Sequence, residues 1–297
     1  MSEAPRPRRS AAFFVLVGGA AFATSSPLAR YARPADPLVV AFGRVALAAI
    51  LLVLADAPAL AGSVRRMTPR QRLLVFIGGA LLAAHFACYQ WGLDHTSLPA
   101  AASLVSLEPL SVVLVAWALF GIRPRRVEQI ALAAATAGAV VVGSASGHGQ
   151  HRLVGDVVVL VAVALFGLYL AVARALRGAV PTRSYVALVY TAAAISLALM
   201  LPGAPGARPP AGFDLPIASW AAIALLALVP TVIGHTAVQA ASRVLSPSLV
   251  ALASPCETLG SIAIGAALLG EVPTGRELVG AGLILAGTTL ALVTARA

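Results

Sequence analysis

The chain of 297 residues is 60% hydrophobic and only 11% charged, against about 45–50% and about 25% in an ordinary soluble domain. A soluble fold would leave much of that apolar surface in water. All 21 basic residues are arginine and the net charge is +10, but these arginines stand singly or in threes in short loops, a pattern that suits membrane orientation better than a nucleic-acid groove.

Runs of about 20 apolar residues, each long enough to cross a ~30 Å hydrocarbon core, recur along the whole length. Ten spans are predicted: 11–29, 37–55, 71–92, 98–120, 126–146, 154–174, 183–202, 217–238, 247–269 and 275–294. Ahead of the first, Arg6, Arg8 and Arg9, followed by an apolar run and Ala21-Phe22-Ala23, imitate a secretory signal. Further along it, Thr24-Ser25-Ser26-Pro27 predicts a broken helix lining a cavity, as does Pro230 in the eighth span. Thr68-Pro69-Arg70-Gln71 and Thr274-Gly275-Arg276-Glu277 have capping-box spacing and predict helix starts. Cys88 and Cys256 fall in apolar segments without metal-ligand spacing and read as packing residues. The Pro/Gly-rich stretch 203–216 reads as an irregular surface loop.

The chain repeats itself. Laid over its own second half, Gln90 falls on Gln239, Glu108 on Glu257, Gly121 on Gly270, Pro124 on Pro273, Glu128 on Glu277 and Gly138 on Gly287. The first span falls on the sixth in the same way, with Phe22 on Phe166, Arg30 on Arg174, Arg33 on Arg177 and Pro37 on Pro181. The first span therefore reads as a retained helix rather than a cleaved signal. The fold class predicted is an all-α integral membrane protein of ten transmembrane helices, arranged as two five-helix inverted-topology repeats over 11–146 and 154–294. Because five is odd, the halves insert with opposite orientation. Fifteen arginines on the amino-terminal side against five on the other place both termini in the cytoplasm. Trp91 and Trp220 then fall near the outer interface.

These residues resemble a known group. The stretch "LLGEVPTGRELVGAGLILAG" (268–287), the arginine of "FGRVALA" (42–48) and the paired "SLEPL" and "PCETL" resemble the drug/metabolite transporter superfamily, in its EamA branch with the threonine and homoserine exporters. The resemblance implies a helix bundle with a central cavity and peripheral fifth and tenth helices. One departure stands out: Gly270-Glu271 is matched in the first half by Gly121-Ile122.

Glu108 and Glu257 carry the functional reading. Each lies about ten residues into its span, ~15 Å or half the hydrocarbon core, and the two enter from opposite faces. Inverted-repeat carriers place their substrate at such a midplane interface. A charge at a helix centre costs roughly 2.5–3.5 kcal/mol, so both acids are expected to face a cavity or a partner. They are candidates for substrate binding and for proton coupling, with a purely packing role as the alternative. Ser254, Glu257 and Ser261 share a helix face and are grouped as substrate-binding candidates. Arg44 offers a planar, always-charged fork for a substrate carboxylate, or else a salt bridge to one of the acids. His85 and His235 are further substrate-binding candidates, each alternatively a bonded core histidine.

The sequence lacks HExxH, GxSxG, a phosphate-binding glycine loop and a Cys/His zinc pattern. The reading is a secondary transporter of the inner (plasma) membrane, not an enzyme. It would export a small polar metabolite such as an amino acid by alternating access, without metal or cofactor. Its partners are that small molecule and the lipid bilayer, not nucleic acid, and a homodimer is compatible with it. A membrane-embedded enzyme on a lipid-linked substrate and a non-transporting scaffold are the alternatives.

Overall fold

The computed structural model describes residues 8–294 apart from 56, 122, 148, 177, 209–210, 235–236 and 238–252. Among them there is no strand. The helices are α1 (Arg8–Ala23), α2 (Ser25–Tyr31), α3 (Pro37–Ala55), α4 (Ala57–Arg66), α5 (Pro69–Asp94), α6 (Leu98–Val105), α7 (Glu108–Phe120), α8 (Arg126–Gly143), α9 (Leu153–Ala175), α10 (Thr182–Met200), α11 (Ile217–Leu226), α12 (Ala253–Leu269) and α13 (Gly275–Thr294). Among the described residues seven helices are long and apolar enough to span a membrane, and α6 with α7 makes an eighth if the bent pair is one span. Leu54, Leu199, Ile217 and Leu268 are 73–85% exposed, a surface that would aggregate in water and that suits contact with lipid. This is a multi-pass helical membrane protein.

Local signals explain where the helices start and stop. The Thr68 and Gln71 side chains exchange the two bonds of a capping box at the head of α5, and Thr274 and Glu277 do the same at α13. Gly121 and Gly270, equivalent in the repeat, end α7 and α12 at φ of 67° and 68°, a left-handed conformation that residues with a Cβ rarely adopt. Helix α4 was not expected from the sequence. It lies in the second connection, where Ser63 donates to Ser184 of α10. The 203–216 stretch is less irregular than expected, being folded into short 3-10 turns with Ala207 fully buried.

Three prolines break spans, and each break has a hydroxyl that takes up a freed carbonyl. Pro27 removes the N–H that would reach Ala23 O, and Ser261 Oγ donates there instead at 2.9 Å. Pro230 lies in a π-helical stretch, Ala227–Gly234, where Thr231 Oγ1 donates to Leu226 O at 2.8 Å. Pro109 splits the expected 98–120 span into α6 and α7, bent by 43° at Ser106-Leu107. The freed Ser106 O accepts from Thr288 Oγ1 at 3.1 Å and Ala102 O from Thr258 Oγ1 at 3.3 Å, which fastens the break to α12 and α13. The fourth span, 98–120, is thus not the single straight helix the apolar run suggested.

Helix α5 is flanked by α9 and α10, α3 packs on α10, and α1 on α12. Helix α6 touches α2, α9, α12 and α13, whereas α7 leans chiefly on α9. Helices α8 and α13 pack mainly on each other, at a distance set by Gly138, where an added Cβ would stand 2.7 Å from Gly280 O. One end of the bundle gathers Arg30 with Thr96 and Glu271, Arg33 with Asp94 and Gln150, and His151 with Asp156 and Glu277, and is called the Arg30 end below. Arg65 and Arg66 of α4 lie at the opposite end.

Candidate functional site

A cavity of about 160 Å³ lies between the halves of the chain, lined by Ser25 of α2, Arg44 of α3, His85 and Tyr89 of α5, Glu108 of α7, Tyr169 of α9, Tyr190 of α10 and Glu257 of α12, with apolar walls that include Phe22, Phe86 and Phe166. Helical spacing produces this lining. Leu82, His85, Phe86 and Tyr89 fall at i, i+3, i+4 and i+7 on α5, Phe166 and Tyr169 at i and i+3 on α9, and Val186 and Tyr190 at i and i+4 on α10.

Arg44 is 5% exposed and is held by the two kinks. Its Nε donates to Thr231 Oγ1 at 2.8 Å, beside Pro230, and its Nη1 to Ser25 Oγ at 3.0 Å, at the break between α1 and α2. The guanidinium lies 4.7 Å over the Phe86 ring, a cation–π contact. Among the described residues neither acid comes within 4 Å of it, so Arg44 is anchored by neutral groups rather than by the salt bridge weighed from the sequence. With Nε and Nη1 so engaged, Nη2 is the guanidinium nitrogen left for a ligand among the described residues.

Glu108 is the first residue of α7, at the bend made by Pro109, and not in mid-helix as the sequence suggested. Its Oε1 is 4.0 Å from His85 Nε2, while His85 Nδ1 meets Ala162 O at 2.9 Å. The Tyr89 hydroxyl bonds Ser26 Oγ at 2.6 Å. The sequence-derived candidates Arg44, His85, Glu108 and Glu257 are therefore brought together. Ser261 is not among the lining residues: it is fully buried and occupied by Ala23 O, because the kink at Pro27 needs that donor more than the cavity does. His235 and the side chain of Ser254 lie outside the described residues. The sequence reading missed the tyrosines and phenylalanines. The i, i+3, i+4, i+7 pattern around His85 was the available signal, but an aromatic stripe reads equally well as core.

The arrangement sets one fixed cation and two carboxylates around a small space with aromatic walls. Among the described residues no three His, Cys, Asp or Glu side chains are grouped to hold a metal. What it can do is hold a small molecule bearing both signs of charge.

Comparison with known proteins places the chain in a family. The profile of the EamA-like transporter family matches residues 9–144 and again 153–293. A probable terminal-alkyne amino-acid exporter of Streptantibioticus cattleyicolor is 27% identical over 257 residues, covering 84% of this chain and 82% of that one. A solved crystal structure shares the fold, with a TM-score of 0.65, at 20% identity over 98% of this chain and 99% of its own. With both halves of its length matched, the chain belongs to the EamA-like transporter family.

Proposed function

We propose that this protein is a secondary carrier that exports an amino acid, or a compound with the same ammonium and carboxylate, from the cytoplasm. The observation that carries the reading is the convergence of Arg44 with Glu108 and Glu257 on one cavity, the two acids being equivalent positions of the two halves. Arg44 takes the substrate carboxylate through Nη2 in a charge-assisted hydrogen bond. One of the acids takes the ammonium, and the aromatic walls take the side chain. The relative's amino-acid substrate supports this choice.

Transport proceeds by alternating access, with the inverted repeats 11–146 and 154–294 rocking about the cavity. Both termini are cytoplasmic and the membrane is the inner one, as the arginine asymmetry favours. At least one of Glu108 and Glu257 exchanges a proton as the ammonium arrives or leaves, which couples flux to a proton gradient.

The test is a screen of amino acids on vesicles carrying the purified protein. A transported amino acid should lose transport when its carboxylate is esterified and also when its amine is acetylated. Transport of both blocked forms at the parent's rate would contradict the site.

A further inference from the structure

At the Arg30 end the two halves are joined by an ion pair between a buried arginine and a half-buried glutamate. Arg30 Nε lies 2.7 Å from Glu271 Oε1 and Nη2 donates to Glu271 Oε2 at 3.2 Å, the side chains being 4% and 22% exposed. Arg30 Nη2 also donates to Thr96 O at 2.8 Å, and the Leu98 N–H, at the head of α6, donates to Glu271 Oε2 at 2.9 Å. Arg30 belongs to the first half and Glu271 to the second. Ala29, Val40, Leu93 and Leu98 are buried in one apolar cluster beside this pair, and the first three stand one helical turn from the lining residues Ser25, Arg44 and Tyr89. The pair thus caps an apolar plug.

The repeat should build the same joint at the opposite end, and the residues for it are missing. Arg30 has its counterpart in Arg174, which is exposed. Glu271 corresponds to Ile122, which has no charge, and Leu98 to Pro247, which has no N–H to donate. In an inverted-repeat carrier the two closed forms are equivalent by symmetry unless the sequences of the repeats differ. Here they differ in the ion pair itself.

We infer that Arg30 and Glu271 form a clasp whose repeat equivalents at the other end lack the acid, and that it makes the form closed at the Arg30 end the resting state of the carrier. The inference rests on the alternating-access reading above. In the proposed orientation the Arg30 end is extracellular, so the empty carrier waits with its cavity directed to the cytoplasm. For an exporter this keeps the site where the substrate is and shut where product would rebind. Opening the clasp takes the partner from a buried arginine, so substrate must supply that energy through its own contacts at Arg44, Glu108 and Glu257.

The test uses the full chain in lipid nanodiscs, with Cys88→Ala and Cys256→Ala and spin labels on Tyr31→Cys and Leu268→Cys, positions 59% and 77% exposed near the two sides of the clasp. Double electron–electron resonance should give one short distance in the otherwise unaltered protein. Glu271→Gln, which keeps the shape, should raise the open-to-closed ratio about tenfold or more, because it takes the charged partner from a buried arginine. Arg30→Gln should do the same. Asp94→Asn, which breaks the exposed Arg33–Asp94 pair inside the first half, should leave the distances unchanged. If Glu271→Gln and Arg30→Gln, both monodisperse, keep the short distance, or if Asp94→Asn shifts it equally, the clasp is overturned. Substrate flux in vesicles separates the two ideas: flux with unmoved distances removes the clasp alone, and absence of flux for any amino acid removes the carrier reading and the clasp with it.

Discussion

His151 offers a test that needs no substrate. It precedes α9 at the Arg30 end and is 2% exposed, with Nε2 2.7 Å from Asp156 Oδ2 and Nδ1 3.2 Å from Glu277 Oε1. Asp156 accepts from Thr96 Oγ1 at 2.6 Å, and Glu277 from Ser97 Oγ, so the imidazole stands at the centre of a joint between the halves. Burial opposes its charge, but the hydrogen bonds and charges of Asp156 and Glu277 outweigh that and push its pKa up to about 9 from 6.5. A histidine whose pKa is raised on folding stabilises the protein fully below about 6.5 and loses that contribution as pH rises through about 9. The gap corresponds to about 3 kcal/mol at ~1.4 kcal/mol per unit. The Nδ1 contact is an ion pair without good hydrogen-bond alignment, so about 2 kcal/mol is the expected figure. With no lysine in the chain, few other groups titrate between pH 7 and 10. Thermal unfolding in detergent, followed by tryptophan fluorescence, should show the midpoint falling by about 4 °C or more from pH 7 to pH 10. His151→Gln should start lower and stay flat. A wild-type midpoint that holds to pH 10, or a variant that falls as steeply, would refute the reasoning.

Arg44→Ala should weaken binding of a transported amino acid about ten- to hundredfold, the loss of a charge-assisted hydrogen bond, while the protein stays monodisperse; calorimetry checks this, and a variant that unfolds would mark Arg44 as structural. Glu257→Gln and Glu108→Gln should fold normally, and at least one should abolish the pH dependence of flux between pH 5.5 and 8; two variants that both behave like wild type would leave the acids as packing elements. Single cysteines placed in 93–97 and 203–216, in a cysteine-free background, should react with an impermeant maleimide on intact cells, and labelling of the termini instead would reverse the proposed orientation.

Apolar run length was enough to read the helical membrane class, because the bilayer demands about 20 residues per crossing whatever the fold. Arg44, Glu108 and Glu257 were legible because a charge in such a run needs a reason. The break at Glu108 was less so. Pro109 follows it directly, but a proline can kink a span slightly or split it, and the difference was decided by Thr258 and Thr288, distant hydroxyls that satisfy the opened backbone. Ser261 was grouped with Glu257 by helical spacing, yet its partner is a carbonyl orphaned by a proline more than 200 residues earlier. The departure at Glu271 was visible in the repeat, whereas its meaning required Arg30 and the head of α6 to be brought beside it.

Counterflow probes the carrier reading most directly. Vesicles containing the purified protein are loaded with an unlabelled amino acid chosen from the screen and diluted into a trace of the labelled compound. Wild type should concentrate label transiently above its outside level, Arg44→Ala should not, and protein-free vesicles should not. Label that merely equilibrates, or accumulates equally with Arg44→Ala, would contradict a carrier built around this cavity.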